Sequence, residues 1–123
     1  MTRYLDLNDL LDMVALAGIG PVREPGLLES ALARPATTVF GRDAYVTLEE
    51  KAAALLHSLV KNHGLVDGNK RLGWLAATVF VGFNGYRVVL SQDQAFALVW
   101  AVADGTVSEI GEIATRLVIA RRD

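Results

Sequence analysis

The chain contains no cysteine, two histidines and three prolines among its 123 residues. Without thiols there is no disulfide framework, no thiolate zinc site and no cysteine nucleophile. His57 and His63 are the only nitrogen ligands a metal could draw on, too few for an ordinary zinc enzyme. A positive excess is missing too: 12 Lys and Arg stand against 14 Asp and Glu, a net charge of -2. Proteins whose main business is wrapping nucleic acid or an anionic membrane carry a clear basic excess, so any basic site here is local. No apolar run approaches the roughly 18 residues of a membrane span. The opening MTRYLDLNDLLD is acidic where a secretory leader is basic and then apolar. These absences set the expectation of a cytoplasmic protein with no membrane association and no direct nucleic-acid partner.

What is present is an apolar majority, 52% of residues, ample for the core of a single domain spanning 1–123. Helical patterning dominates. Asp6, with Asp9 in the first turn, opens a 3.6-period stripe of Leu7, Leu10, Leu11, Val14 and Ala17 that stops at Gly18. Pro25 suits the first position of a short helix, EPGLLESALAR, ended by Pro35. Residues 35–46, PATTVFGRDAYV, carry aromatic and β-branched residues around Gly41 without a helical period, which predicts a loop or small hairpin. Thr47 and Glu50 form a capping box for LEEKAAALLHSLVKN, whose Leu48, Leu55, Leu56 and Leu59 share a side and which Gly64 ends.

The next helix starts near Asn69 and runs through KRLGWLAATVFVGF to a left-handed cap at Asn84 and Gly85. Apolar nearly all round from Leu72, it is the expected buried centre. YRVVL reads as a brief extended piece; Ser91 and Gln94 then cap QDQAFALVWAVAD, closed by Gly105. Thr106 with Glu109, or Ser108 with Glu112, starts a last helix that turns Ile110, Ile113, Leu117 and Val118 inward and carries Arg116, Arg121 and Arg122 near its end. There is no repeat, low-complexity tract or linker. The expected fold is all-α, a single compact bundle of about six helices around a central apolar helix, with a small extended flap.

The stretch KNHGLVDGNKR, residues 61–71, concentrates polar chemistry in an otherwise greasy chain. A glycine-bearing loop that runs into a helix start aims backbone N–H groups at one spot, where the helix dipole favours negative charge. Phosphate suits that spot. Gly68 lets the backbone come close, and Lys70 and Arg71 add full charges in the first turn. Cations at a helix N-terminus are unfavourable by about 0.3 to 1 kcal/mol each, so an anion is needed to offset them. Asp67 suits a Mg²⁺ that keeps most of its waters and bridges phosphates, and Asn69 could orient the same oxygens. His63 stands at the mouth, where a neutral imidazole can take a proton from an attacking hydroxyl. Together these residues describe a phosphate-transfer site.

The Walker A loop is the nearest rival and its spacing fails: Asn69 precedes Lys70, Arg71 stands where a hydroxyl is needed, and the loop follows a helix, not a strand. Blander roles stand beside each assignment. A histidine at a helix C-terminus can be a plain cap; Asp67 can cap the next helix, with Lys70 and Arg71 as surface charges. His57, among leucines, reads as packed or hydrogen-bonded, Trp74 and Trp100 as core or groove aromatics, and Arg3, Arg23, Arg34 and Lys61 as solvated charges.

HGLVDGNKR resembles the signature of the Fic/Doc proteins, H-x-F-x-[DE]-G-N-G-R-x-x-R in the Fic branch and H-x-F-x-[DA]-x-N-K-R in the Doc (death on curing) branch. Lys70 places the resemblance with Doc, and REPGLLESALARP and EEKAAALLHSLVKNHGLVDGNKRLGWLAATVFVGFNGY both read like Doc sequence. Fic proteins transfer AMP from ATP to a protein hydroxyl. Doc turns the nucleotide around and phosphorylates a threonine of elongation factor Tu, which arrests translation. The resemblance therefore implies a toxin kinase using ATP and Mg²⁺, with His63 as general base, Asp67 as metal ligand, and Gly68, Asn69, Lys70 and Arg71 as phosphate cradle.

Two departures bear on this. Leu65 replaces the family's phenylalanine, a buried loop anchor, and Trp74 stands where Fic enzymes place the second arginine that grips the outer phosphates. Residues 40–45 fall at the family's target-docking flap. The self-inhibitory [ST]-x-x-x-E-[GN] helix of some Fic proteins is unmatched, since Ile113 follows Glu112. Restraint is then expected from a cognate antitoxin, a disordered segment of which folds into an apolar groove. Two other functions stay open: AMP transfer, and a non-enzymatic helix-turn-helix presenting Asn69, Lys70 and Arg71 to a nucleic-acid groove.

Overall fold

The computed structural model describes all residues, 1–123. Six helices form the body: α1 (Leu7–Ala17), α2 (Pro25–Ala33), α3 (Leu48–Asn62), α4 (Asn69–Phe83), α5 (Gln92–Asp104) and α6 (Ile110–Arg116). Two small antiparallel ladders accompany them, β1 (Thr38–Val39) with β2 (Arg42–Asp43) and β3 (Tyr86–Val88) with β4 (Ile119–Arg121). The architecture is the all-α bundle expected from the sequence. No helix is long and apolar enough to cross a membrane.

Local chemistry starts the helices where the sequence indicates. Asp6 and Asp9, Thr47 and Glu50, and Ser91 and Gln94 each exchange reciprocal side-chain bonds with the backbone, satisfying N–H groups that a helix cannot pair internally. Pro25 occupies the first turn of α2, and the chain then tightens into a 3-10 turn, Arg34–Ala36, around the buried Pro35. In the 35–46 segment, Phe40 and Gly41 both have positive φ, 52° and 77°. That is the two-residue turn a tight hairpin favours, pairing Thr38 with Asp43 and Val39 with Arg42.

The buried centre is α3, not α4. It is buried from Lys51 through Leu56 and again from Ser58 through Val60, and α2, α4, α5 and α6 all pack on it. Ala52, Ala53 and Ala54 account for this: three successive methyl groups let neighbours close in from every side. α4 is apolar all round, yet Trp74, Leu75, Thr78 and Val79 are only half-buried and Phe83 is exposed. Gly73 is where the two helices press together. A Cβ there would lie 2.7 Å from Val60 Cγ2 and 3.3 Å from Leu56 Cδ1, so only glycine permits this crossing.

The C-terminal segment differs from expectation. α6 has Glu109 at its N-cap with no side-chain capping bond and stops at Arg116. Leu117 is buried, but Val118 is 50% exposed, and Arg121 and Arg122 lie at the end of β4 and just past it. The β-branched run around residue 118 pairs with β3 instead of extending the helix, and Val89 N–H donates to Val118 O at 2.6 Å. Of the predicted cap at Asn84 and Gly85, Gly85 is left-handed at φ 86° while Asn84 has φ −103°. Asn84 instead ties the N-terminus down, exchanging two hydrogen bonds with the Arg3 backbone.

Two charged residues are far from solvated. Lys51 is 3% exposed, with Nζ 3.1 Å from Asp43 Oδ2, so α3 holds β2 through an ion pair. Burial opposes its charge, but bonding to Asp43 and Tyr4 outweighs that and raises its pKa. Arg34, expected in solvent, is half-buried: Nε donates to Tyr45 Oη at 3.0 Å, and Nη1 to Ser58 Oγ at 3.0 Å and to His57 Nδ1 at 2.9 Å. A guanidinium cannot accept, so His57 Nδ1 is the acceptor of a neutral ring.

Burial first, then the charges of Arg34 and Lys61, push the His57 pKa below 6.5. Its stabilising contribution is therefore complete above that value and is lost as pH falls from there through the lower folded-state pKa, because the unfolded chain binds the proton more readily. Thermal melts stepped from pH 7.5 to 5 should show a decline beginning near pH 6.5 that His57→Gln largely removes. An unchanged pH profile in that variant contradicts the assignment.

Candidate active site

Residues 63–68 join α3 to α4, and two sets of bonds determine their path. Inside the loop, Asn69 closes a ring on Leu65: its Oδ1 accepts from Leu65 N–H at 2.9 Å and its Nδ2 donates to Leu65 O at 3.0 Å. From outside, the connector between α1 and α2 runs antiparallel to it, with a bridge between Val22 and Leu65. Gly20 N–H donates to Asp67 O (3.0 Å), Val66 N–H to Pro21 O (2.9 Å), and the Arg23 and Glu24 N–H groups to Gly64 O (2.7 and 3.1 Å). Leu65 is 1% exposed, so it serves as the buried anchor expected at that position.

Gly64 does not end α3 as a left-handed cap. It is buried against α2, where a Cβ would meet Leu28 Cδ2 at 2.7 Å. The left-handed residue is His63, at φ 55° and ψ 50°, a conformation costing a residue with a Cβ about 1–3 kcal/mol. Its carbonyl accepts from Arg23 Nε at 3.0 Å and also from Arg23 Nη2. Arg23 is thus a helix cap and not a free surface charge. Nothing in its local sequence pattern signals this, because its partner lies 40 residues away.

At the far end of the loop Gly68 caps α4 with φ 95°, and a Cβ there would lie 2.6 Å from that of Ile19. Both the backbone angle and the contact with Ile19 favour glycine here. The first helical bond is Leu72 N–H to Gly68 O, 2.9 Å, so the N–H groups of Asn69, Lys70 and Arg71 precede it. Asp67 Oδ1 accepts from Gly68 N–H at 2.9 Å, and the side chain is exposed.

His63, Asp67, Gly68, Asn69 and Lys70 line one depression of about 210 Å³, with Val60, Val66 and Ala103 completing it. Arg71 lies apart, in an adjoining apolar groove of about 380 Å³ with Trp74, Phe96, Val99 and Trp100. Lys70 borders both, its Nζ 4.6 Å from the Trp100 ring centroid. The Asn69 side chain is engaged with Leu65, leaving its backbone N–H as the group aimed toward the helix start. No group of three or more His, Cys, Asp and Glu residues forms a metal cage. Asp67 is the one carboxylate lining the depression, so it is the residue that could hold a cation there.

The model of the Fic/DOC family matches residues 3–81, a span that includes the connector, α3, the loop and most of α4. A protein of Mycolicibacterium smegmatis (strain ATCC 700084 / mc(2)155) named "Toxin Doc" is 46% identical over 118 residues, covering 94% of this chain and 84% of that protein.

The ring between Asn69 and Leu65 has a distinct signature. Asn69→Ala removes both bonds, and Asn69→Asp, nearly isosteric, loses the donor to Leu65 O. Each should lower stability by about 1–3 kcal/mol and speed amide exchange at Leu65. Unchanged exchange at Leu65 would leave Asn69 as a ligand contact only.

Proposed function

This chain belongs to the Fic/Doc family, and we propose that it is the toxin of a toxin–antitoxin pair, a cytoplasmic kinase that moves the terminal phosphate of ATP to a hydroxyl of a translation factor. Resemblance to the Doc branch makes elongation factor Tu the target. The observation that carries the reading is the shared depression, which sets His63 beside Asp67 and the N-terminus of α4. The His63 imidazole accepts the proton of the incoming hydroxyl. Its oxygen bonds to the γ-phosphorus while the bond to the β,γ-bridging oxygen breaks, and that electron pair leaves with ADP. The N–H groups at the start of α4 and the Lys70 ammonium take the negative charge of the phosphates. Asp67 is the residue that would hold Mg²⁺, which when bound offsets phosphate charge.

AMP transfer is the less favoured chemistry. Trp74 has no charge with which to grip outer phosphates, and it lines the apolar groove instead. The nucleic-acid reading loses the Asn69 side chain, which is committed to Leu65.

The groove is the place offered to the antitoxin. Gln92, Ala95, Phe96, Val99 and Trp100 line it from α5, over about 12 Å of helix, two turns or so of an amphipathic segment. Lys70 and Arg71 on its rim favour acidic residues in that segment.

Incubation with γ-labelled and, separately, α-labelled ATP plus a translation extract tests the reaction. Label should pass to protein from the γ position alone; transfer from the α position alone means AMP transfer. His63→Ala should lower the rate about 10² to 10⁴-fold with the melting temperature unchanged, and undiminished growth arrest by it removes His63 from this role. Trp100→Ala should weaken antitoxin binding at least about tenfold, as a central aromatic anchor does. Full neutralisation of that variant at equal antitoxin places the contact elsewhere.

A further inference from the structure

Arg23 caps α3 from outside the depression, and it touches the one loop residue whose placement the proposed chemistry depends on. Its guanidinium donates through Nε (3.0 Å) and Nη2 to the carbonyl of His63. Its own N–H, with that of Glu24, donates to the next carbonyl, Gly64 O, at 2.7 and 3.1 Å. Two successive carbonyls at the end of α3 are thus bound by one dipeptide from the connector between α1 and α2.

His63 needs such restraint. Phe40 and His63 are the residues other than glycine with positive φ, and the hairpin turn explains Phe40. α3 closes no backbone capping bond at His63, so contacts from elsewhere in the chain help to hold its φ of 55°. On one side Gly64 is pressed against Leu28, and on the other the positive guanidinium faces the negative pole of α3. With the peptide between residues 63 and 64 held at both of its flanking carbonyls, the Cα–Cβ direction of His63 is set. Arg23 does not line the depression that holds His63 and Asp67. Its influence therefore passes through the backbone and not through a bound phosphate.

We propose that Arg23 is a positioning residue for His63, fixing the left-handed backbone from which the imidazole reaches the target hydroxyl. The proposal rests on the reading of His63 as the general base. Misplacing a reacting group by about 1 Å can cost on the order of 10²-fold in rate, so a lost cap should be seen in turnover.

The test is Arg23→Ala, Arg23→Lys and His63→Ala, with the double variant Arg23→Ala/His63→Ala, in the labelled-ATP assay. Arg23→Ala should lower kcat about 10 to 100-fold with KM for ATP unchanged, Arg23→Lys should recover part of it, and the double variant should match His63→Ala alone. An equal further loss in the double variant, a raised KM with kcat intact, or unaltered kcat overturns the proposal. A second readout does not need activity: in Arg23→Ala the His63 amide resonance and its HN–Hα coupling should leave their wild-type values. If the wild-type chain transfers nothing from ATP, the kinase reading falls, and the spectrum alone decides the positioning role. An unchanged His63 signal then overturns it.

Discussion

The structure depends on the pairing of the connector between α1 and α2 with the loop between α3 and α4. Backbone bonds at Gly20, Pro21, Arg23 and Glu24, together with the buried Leu65, hold that loop as if it were a strand in a small sheet. A loop rich in small and polar residues would otherwise be among the least stable parts of the chain. Here most of its carbonyls and several of its N–H groups are paired, which holds His63, Asp67 and the start of α4 in one geometry, as the proposed phosphate chemistry requires.

The same economy shapes the bundle. α3 is central because its alanines admit neighbours from all sides, and α4 meets it closely at Gly73. One helix therefore touches the hairpin near its start and leads into the loop at its end. Near its start, Lys51 holds Asp43 of the hairpin; its end is capped by His63. The His57–Arg34–Tyr45 contacts add a second tie between α3 and the segment just after the hairpin. The hairpin tip stays free of such ties, with Phe40 fully exposed.

Lys70 connects two surfaces that the sequence leaves separate. It borders the depression at the loop and also lies over Trp100, in the apolar groove between α4 and α5. In the proposed reading one cation faces both the nucleotide and the antitoxin, so occupation of the groove competes for a charge that the phosphates need. Arg71, next in sequence, turns to the groove alone, since successive residues on a helix point about 100° apart.

Much was legible from residues alone. Reciprocal caps at Asp6, Thr47 and Ser91, the proline at the start of α2 and the hairpin turn around Gly41 are short-range chemistry, decided by neighbours within about four positions. The run from His63 to Arg71 is likewise contiguous, so its likeness to the Fic/Doc signature could be seen before any fold was known. What remained hidden depends on chain segments far apart in sequence. The choice of α3 over α4 as the centre, the pairing of residues 119–121 with β3, the burial of Lys51 and Arg34, and the grip of Arg23 on His63 each require a partner that no local pattern specifies. Periodicity reports how apolar each face of a helix is, but only packing decides which face meets a neighbour and which polar group finds a mate.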